Sequence, residues 1–337
     1  MNLNSPYLVC TDGARLGLGG APLGNLFQTV SDETAQQVLN TAWLDGCRTF
    51  DTAPHYGHGL SEKRMGLALR QQARPGFKLS SKVGRLLTPS PNPPREQHGY
   101  VDGLPFVQHW DFSRSGIRKS IEDSLERLCL DRLDAVYLHD IDEVTQGTHF
   151  KSVMNQVLGE ALPMLSQLKQ EGLLTQIGLG VNDHYVALEV LKYADLDVLM
   201  LAGRYTLLDT SALPQLMPEL IQRNVALALG GVFNSGILAT RLSSPALATF
   251  NYAPASEVWL HKALRIQSIA DLYGVSLRGA ALQFSLAHPA VHIVMLGIRS
   301  ESEWLDARLA EKELIPLAFW DHLKTEGCIP TDAPTPT

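Results

Sequence analysis

Only four of the 337 residues are cysteine, Cys10, Cys47, Cys129 and Cys328, and no two of them stand at CxxC spacing. So few and so scattered thiols suggest neither a zinc site nor a disulfide framework, and no metal is expected. Basic residues are also in the minority, 28 Lys and Arg against 35 Asp and Glu, for a net charge of -7. That balance lacks the broad positive field that nucleic acid or an anionic membrane surface requires. No run comes near the ~18 apolar residues that span a bilayer. The start MNLNSPYLVCTDG lacks the basic-then-apolar order of a secretion signal. These absences lead to the expectation of a cytoplasmic protein with reduced thiols, a monomer or small homo-oligomer acting on a small molecule.

A GxGxxG turn is missing as well. The stretch GLGGAPLG places Gly17, Gly19, Gly20 and Gly24 at other spacings, with Pro22 where a helix would begin, which argues against a doubly wound dinucleotide-binding sheet. With 45% hydrophobic and 19% charged residues, the chain can still bury a large core. Short apolar runs recur, each followed by a segment with helical spacing: ARLGLGG from Ala14, RTFDT from Arg48, FKLSSKV from Phe77, LDAVYLHD from Leu133, TQIGLGV from Thr175, VLMLAG from Val198, VALALGG from Val225 and HIVMLGI from His292. Ser31 or Asp32 can cap a helix that stops at Gly46, Ser113 can cap another, and two more end at Gly172 and Gly274. The expected fold is α/β, a single-domain (β/α)8 TIM barrel over residues 1–337 with its core at about 14–310. The proline-rich stretch 85–112 is expected to form a long loop over the C-terminal mouth, with IDEVTQGTHFKSVMNQ a second one, and residues 328–337 a flexible tail.

In a parallel barrel the reacting groups come from strand ends. Strand two ends at Asp51 in FDTAPHYGHGLSEKRMG, whose loop carries Tyr56; strand three ends with Lys82, and strand four with His139 and Asp140. Singly, each has an ordinary structural role: a turn cap, a packed ring, a solvated lysine, a satisfied core histidine. Together on one rim they describe proton transfer coupled to hydride transfer. Lys82 would draw Tyr56 toward phenolate, Asp51 would hold Lys82 charged and in place, and His139 would donate to the substrate oxygen.

FDTAPHYGHGLSE, SSKVGR and AVYLHD, in that order, resemble the three tetrad segments of the aldo-keto reductases, over about Leu16 to Arg308. The resemblance implies Asp51, Tyr56, Lys82 and His139 as a catalytic tetrad and a nicotinamide cofactor bound at the rim of strands five to eight. It also implies cofactor contacts at Gly20 and Ala21, and at Asn182 in IGLGVND, where the family's usual Ser is missing and the spacing is one residue longer. The family's stacking tyrosine at the end of strand seven is replaced by Gly230 or Gly231. The loop Gly231, Val232, Phe233, Asn234, Ser235 and Gly236 either wraps the pyrophosphate with backbone N–H groups or is an ordinary glycine turn. LGIRSESEWLDARLA resembles the adenosine end, with Gly297, Arg299 and Glu303. Glu303 stands where NADP-selective members carry a base, which favours NAD, while Arg299 keeps NADP possible.

LAGRYTLLD, GGVFNSGIL and WDFSRSGIRKSIEDSLERLCLDRLDAVYLHD resemble a branch of aldose 1-dehydrogenases, L-galactose dehydrogenases and pyridoxal 4-dehydrogenases. The activity implied is oxidation of an aldose of the L-fucose, L-galactose or D-arabinose type at C1 to the lactone. His55, His109, Trp110 and Arg204 are the candidate substrate contacts. Pyridoxal oxidation and general NADPH-dependent aldehyde reduction are the nearest alternatives. A non-catalytic cofactor-sensing barrel, or an isomerase or aldolase on the same architecture, belongs to another class.

Overall fold

The structure is a computed structural model that describes residues 15–244 and 247–337; Cys10 and Ala14 lie outside the described residues. Eight parallel strands close into a barrel: β1 (Leu16–Gly19), β2 (Thr49–Asp51), β3 (Lys78–Val83), β4 (Leu133–His139), β5 (Leu174–Val181), β6 (Val198–Ala202), β7 (Ala226–Gly230) and β8 (Val291–Gly297). The order around the barrel is β1-β8-β7-β6-β5-β4-β3-β2. Each of the eight expected apolar runs supplies one strand. These runs are near-continuously apolar because both faces of a parallel barrel strand are covered. One face fills the barrel interior with a cluster that includes Tyr137, Met200, Ala228, Ile293 and Met295. The other packs against the helical mantle in the main core. At Gly178 a Cβ would lie 2.1 Å from the Val198 carbonyl oxygen, so β5 can approach β6 only with glycine there.

The helices begin and end on the expected signals. Helix α1 (Asp32–Leu44) is capped by Ser31, whose hydroxyl accepts from the Thr34 N–H. Helix α2 (Leu60–Leu69) follows the Tyr56 loop, and α3 (Arg114–Leu128) is capped by Ser113. The other mantle helices are α4 (Leu162–Gln170), α5 (His184–Leu191), α6 (Leu216–Arg223), α7 (Glu257–Tyr273), α8 (Leu277–Ala287), α9 (Glu301–Glu311) and α10 (Leu317–Thr325). Gly274 ends α7 in the left-handed conformation.

Three expectations need correction. The stretch 85–112 is not an irregular loop. Arg85–Pro89 pairs with Phe106–Trp110, and Glu96–Gln97 pairs with Tyr100–Val101, making two antiparallel ribbons. Its prolines cluster at the turn between the long pair, with only Pro89 inside the register, so they interrupt no central hydrogen bond. The second mouth segment is mostly helical, with Glu143–Gln146 and Phe150–Gln156. The core also extends past residue 310: Phe319 and Trp320 of α10, and Cys328, Ile329 and Ala333 of the supposed flexible tail, are buried in the main cluster.

Candidate active site

Asp51 at the end of β2 lies opposite Ser80 of β3, and alternation along β3 turns Ser80 and Lys82 to the same interior face. The outcome is a buried ion pair. Lys82 Nζ donates to Asp51 Oδ2 at 2.5 Å and to the Thr52 carbonyl at 2.9 Å, while the Ser80 hydroxyl donates to Asp51 Oδ1 at 2.7 Å. The two charged side chains are 2% and 4% exposed, a burial tolerated because each is paired and hydrogen-bonded.

The loop after β2 folds Tyr56 over this pair. Gly57, at φ +64, sits so close to the β1 loop that a Cβ would lie 2.4 Å from the Gly24 carbonyl oxygen. Lys82 Nζ lies 4.6 Å from the centroid of the Tyr56 ring. His139 meets Tyr56 edge-on, with ring centroids 6.0 Å apart at 83°. Tyr100, delivered by the ribbon stretch, stacks beside Tyr56 at 6.0 Å, and His55 contacts the Tyr100 and His139 rings at 5.0 and 5.7 Å.

The electrostatics follow from this burial. Loss of solvent pushes the Asp51 carboxyl up, against the pull of Lys82. Burial first, and then the Asp51 carboxylate, push the Tyr56 phenol well above its ordinary value. The Lys82 ammonium, which the sequence reading expects to draw Tyr56 toward phenolate, lies over the ring face and gives its hydrogen bonds to Asp51 and Thr52. Burial, with the charges of Lys82 and Arg85, holds His139 well below its usual value, and burial takes His55 down to about 2. The site therefore presents a protonated phenol beside a neutral imidazole, both suited to hydrogen-bond a carbonyl oxygen.

A cleft of about 400 Å³ opens over Tyr56, Lys82 and His139. Ala21, His55 and Asn182 line it, as the sequence suggests. Asp140, which the sequence places at the end of strand four without a role, lines it too, as do Tyr100 and Tyr252, which the sequence does not mark as site residues. Tyr252 arrives from the tight turn that joins Thr249–Phe250 to Ala253–Pro254. The missing aromatic at the end of β7 is the signal that could have directed attention further along the same segment.

Other expected contacts lie elsewhere. His109 is on the outer side of the ribbon, with Nδ1 3.3 Å from the Thr88 hydroxyl, and does not line the cleft. Trp110 stacks on the Arg85 guanidinium at 3.8 Å instead of facing the cleft. Arg204 is spent on Asn251 at 3.2 Å and Asp209 at 3.5 Å, tying the loops after β6 and β7 together. Gly20 serves close packing, since a Cβ there would lie 2.3 Å from the Ser61 hydroxyl.

In the Gly231–Gly236 loop, Val232 and Asn234 are buried, and the Asn234 and Gly236 N–H groups bond to Gly231 and Phe233 within the turn. Ser235 Oγ accepts from the Tyr252 N–H at 2.9 Å. Gly297 ends β8, and Arg299 and Glu303 bond to each other: the Glu303 carboxylate accepts from the Arg299 backbone N–H at 2.7 Å and from its guanidinium at 2.9 Å.

The Aldo/keto reductase family model matches residues 15–316. The chain is 37% identical to pyridoxal 4-dehydrogenase of Microbacterium luteolum, over 93% of this chain and 94% of that protein. It is 38% identical to D-threo-aldose 1-dehydrogenase of a Pseudomonas species, over 94% of each. Its fold matches a holo aldo-keto reductase from Bacillus halodurans with a TM-score of 0.71 at 24% identity, covering 92% of this chain and 91% of the other.

Proposed function

The chain belongs to the aldo/keto reductase family of nicotinamide-dependent oxidoreductases, and on that premise we propose that it oxidises an aldose at C1 to the lactone, with Tyr56 exchanging the proton. The observation that carries this reading is the ordered stack at the cleft floor: the Asp51–Lys82 pair, the Tyr56 ring above it and neutral His139 at its edge. Similarity to a D-threo-aldose 1-dehydrogenase over nearly the whole chain supports the substrate class.

A bound nicotinamide would supply the acceptor for the hydride on the anomeric carbon. This chain's part is to bind the hemiacetal, orient its O1 through the His139 N–H, and take the O1 proton at the Tyr56 oxygen as C1=O forms. Oxidation therefore starts from Tyr56 that has released its proton to solvent through the cleft, whereas carbonyl reduction uses the protonated form described above. Lys82 and Asp51 hold this arrangement and balance its charge.

The segment between β7 and α7 supports dinucleotide binding because it borders two cavities. Tyr252 lines the cleft, and Thr240 and Arg241 line a groove of about 760 Å³ that also includes Arg278 and Leu309. In this reading Asn182 and Ala21 hold the nicotinamide end, and Tyr252 supplies the aromatic face that β7 lacks. NAD is favoured over NADP because the guanidinium groups of the groove are already paired, Arg241 with Asp271 and Arg278 with Asp306, as is Arg299 with Glu303. Each would have to leave a carboxylate to receive a 2′-phosphate.

Pyridoxal oxidation is the second reading. The aromatic walls Tyr100, Tyr252 and Phe27 suit a pyridine ring as well as a sugar face. We place the protein in the cytoplasm, a proposal supported by its acidic charge and by free thiols at Cys129 and Cys328. Among the described residues no helix is long and apolar enough to cross a membrane. The test of Tyr56 is Tyr56→Phe, expected to lower kcat by roughly 10²- to 10⁴-fold. Cofactor affinity, read by protein fluorescence, is expected to stay near the wild-type value. Turnover at the wild-type rate would remove Tyr56 from the chemistry.

A further inference from the structure

Asp140 follows His139 directly and adopts a left-handed backbone at φ +48. Its N–H donates to the Gly180 carbonyl at 2.9 Å, and its own carbonyl accepts from Gln146 Nε2 at 2.8 Å, so the turn is held from both sides. A non-glycine residue in this conformation is strained and persists where the surroundings impose it. The carboxylate lines the cleft beside His139. Oδ2 accepts from Arg85 Nη2 at 2.9 Å and stands 3.4 Å from His139 Nε2; Oδ1 accepts from Asn182 Nδ2 at 3.3 Å. Only the Arg85 bond is short, and a carboxylate has about four acceptor sites. Arg85 is itself fixed by stacking on Trp110, so Asp140 is anchored on one side and keeps capacity on the other.

We propose that Asp140 accepts the hydroxyl on the carbon next to the reacting carbon, and that the enzyme thereby selects 2-hydroxy carbonyl compounds and their hemiacetals. His139 Nε2 and Asp140 Oδ2 form a donor and an acceptor side by side, spaced so that oxygens on neighbouring carbons can each reach one of them. The reacting oxygen, which carries no hydrogen in its carbonyl form, needs the donor. The neighbouring hydroxyl needs the acceptor. A substrate lacking that hydroxyl leaves a desolvated carboxylate short of a partner, which is how a polar site rejects an analogue. The proposal rests on the reading of this cleft as the substrate site and narrows its substrate class.

The test is the ratio of kcat/KM for D-arabinose to that for 2-deoxy-D-ribose, which lacks only the hydroxyl in question. Wild type is expected to favour D-arabinose by about 10- to 100-fold, the worth of a hydrogen bond to a charged group. Asp140→Ala, which removes the acceptor, should bring the ratio close to one, and Asp140→Ser serves if the Ala variant does not fold. A wild-type ratio near one overturns the proposal, as does a variant that keeps the wild-type ratio while both rates fall together. Lactaldehyde against propanal, in the direction of reduction, repeats the comparison without a sugar. If sugars are not oxidised but lactaldehyde is preferred and the preference is lost in Asp140→Ala, the aldose reading fails and the role of Asp140 stands. Equal rates on lactaldehyde and propanal refute the role of Asp140.

Discussion

Tyr56 shows how burial sets the starting state of a reacting group. Its phenol is pushed upward by loss of solvent and by the Asp51 carboxylate, so it stays protonated above the ordinary tyrosine pKa. In cofactor-free enzyme, the ultraviolet difference between wild type and Tyr56→Phe should show no tyrosinate from this residue up to about pH 10. A titration near neutrality would mean that Lys82 controls the phenol after all. The meeting of Asp51, Lys82 and His139 was legible in the sequence because parallel strands end near the ends of their apolar runs, and the structure brings these three side chains together with Tyr56. His109 was misplaced for an equally simple reason. Alternation along the ribbon turns Gln108 toward His55, 2.9 Å from its Nδ1, and so turns the adjacent His109 outward. Tyr252 was not legible, because a tight turn fifteen residues beyond Ile237 brings it back to the cleft, and no periodicity reports such a return.

At the scale of elements, the crowded stretch after β2 divides into chemistry and scaffold. His55 and Tyr56 line the cleft and Asp51 lies beneath it on Lys82, whereas Ser61, Glu62 and Arg64 are buried in the framework. Glu62 is fully buried, accepts from the Ser81 hydroxyl at 2.8 Å and from Arg127 Nε at 2.6 Å, and so locks α2 to β3 and α3. Arg64 donates to Asp32, to Asn25 Oδ1 and to the carbonyls of Leu23 and Val30, which holds the β1 loop against α2. Glu62→Ala leaves Arg127 without its buried partner and should cost about 3–5 kcal/mol in urea unfolding. A loss under about 1 kcal/mol would show that the pair is relaxed by water. The sequence could not separate these roles, since a structural glutamate and a reacting one share the same letter and the same loop. The helix caps were easier to read, because Ser31 and Ser113 act within three residues of themselves.

For the whole molecule, the closed barrel joins an interior cluster and a mantle cluster through the same eight strands. The alternation of apolar runs and helical segments sufficed to read this architecture, because barrel closure repeats one local pattern eight times. The C-terminal tail was misread, as proline and threonine disguise the few apolar side chains that anchor it. Removing residues 328–337 uncovers the sites filled by Cys328, Ile329 and Ala333 and should lower stability by about 3 kcal/mol, on the scale of one or two buried aliphatic side chains. Calorimetry of the shortened chain reads this as a lower Tm, and an unchanged Tm would mean that the tail contributes nothing to the fold.

The most direct measurement of the central claim is the initial rate at the reduced-nicotinamide absorbance band. NAD and NADP are each supplied with L-fucose, L-galactose, D-arabinose or pyridoxal, and the reduced cofactors with simple aldehydes; Tyr56→Phe is the control throughout. Oxidation of a sugar with NAD, lost in Tyr56→Phe, is the predicted result. No turnover of any sugar, together with aldehyde reduction by NADPH, would contradict both the substrate class and the cofactor preference.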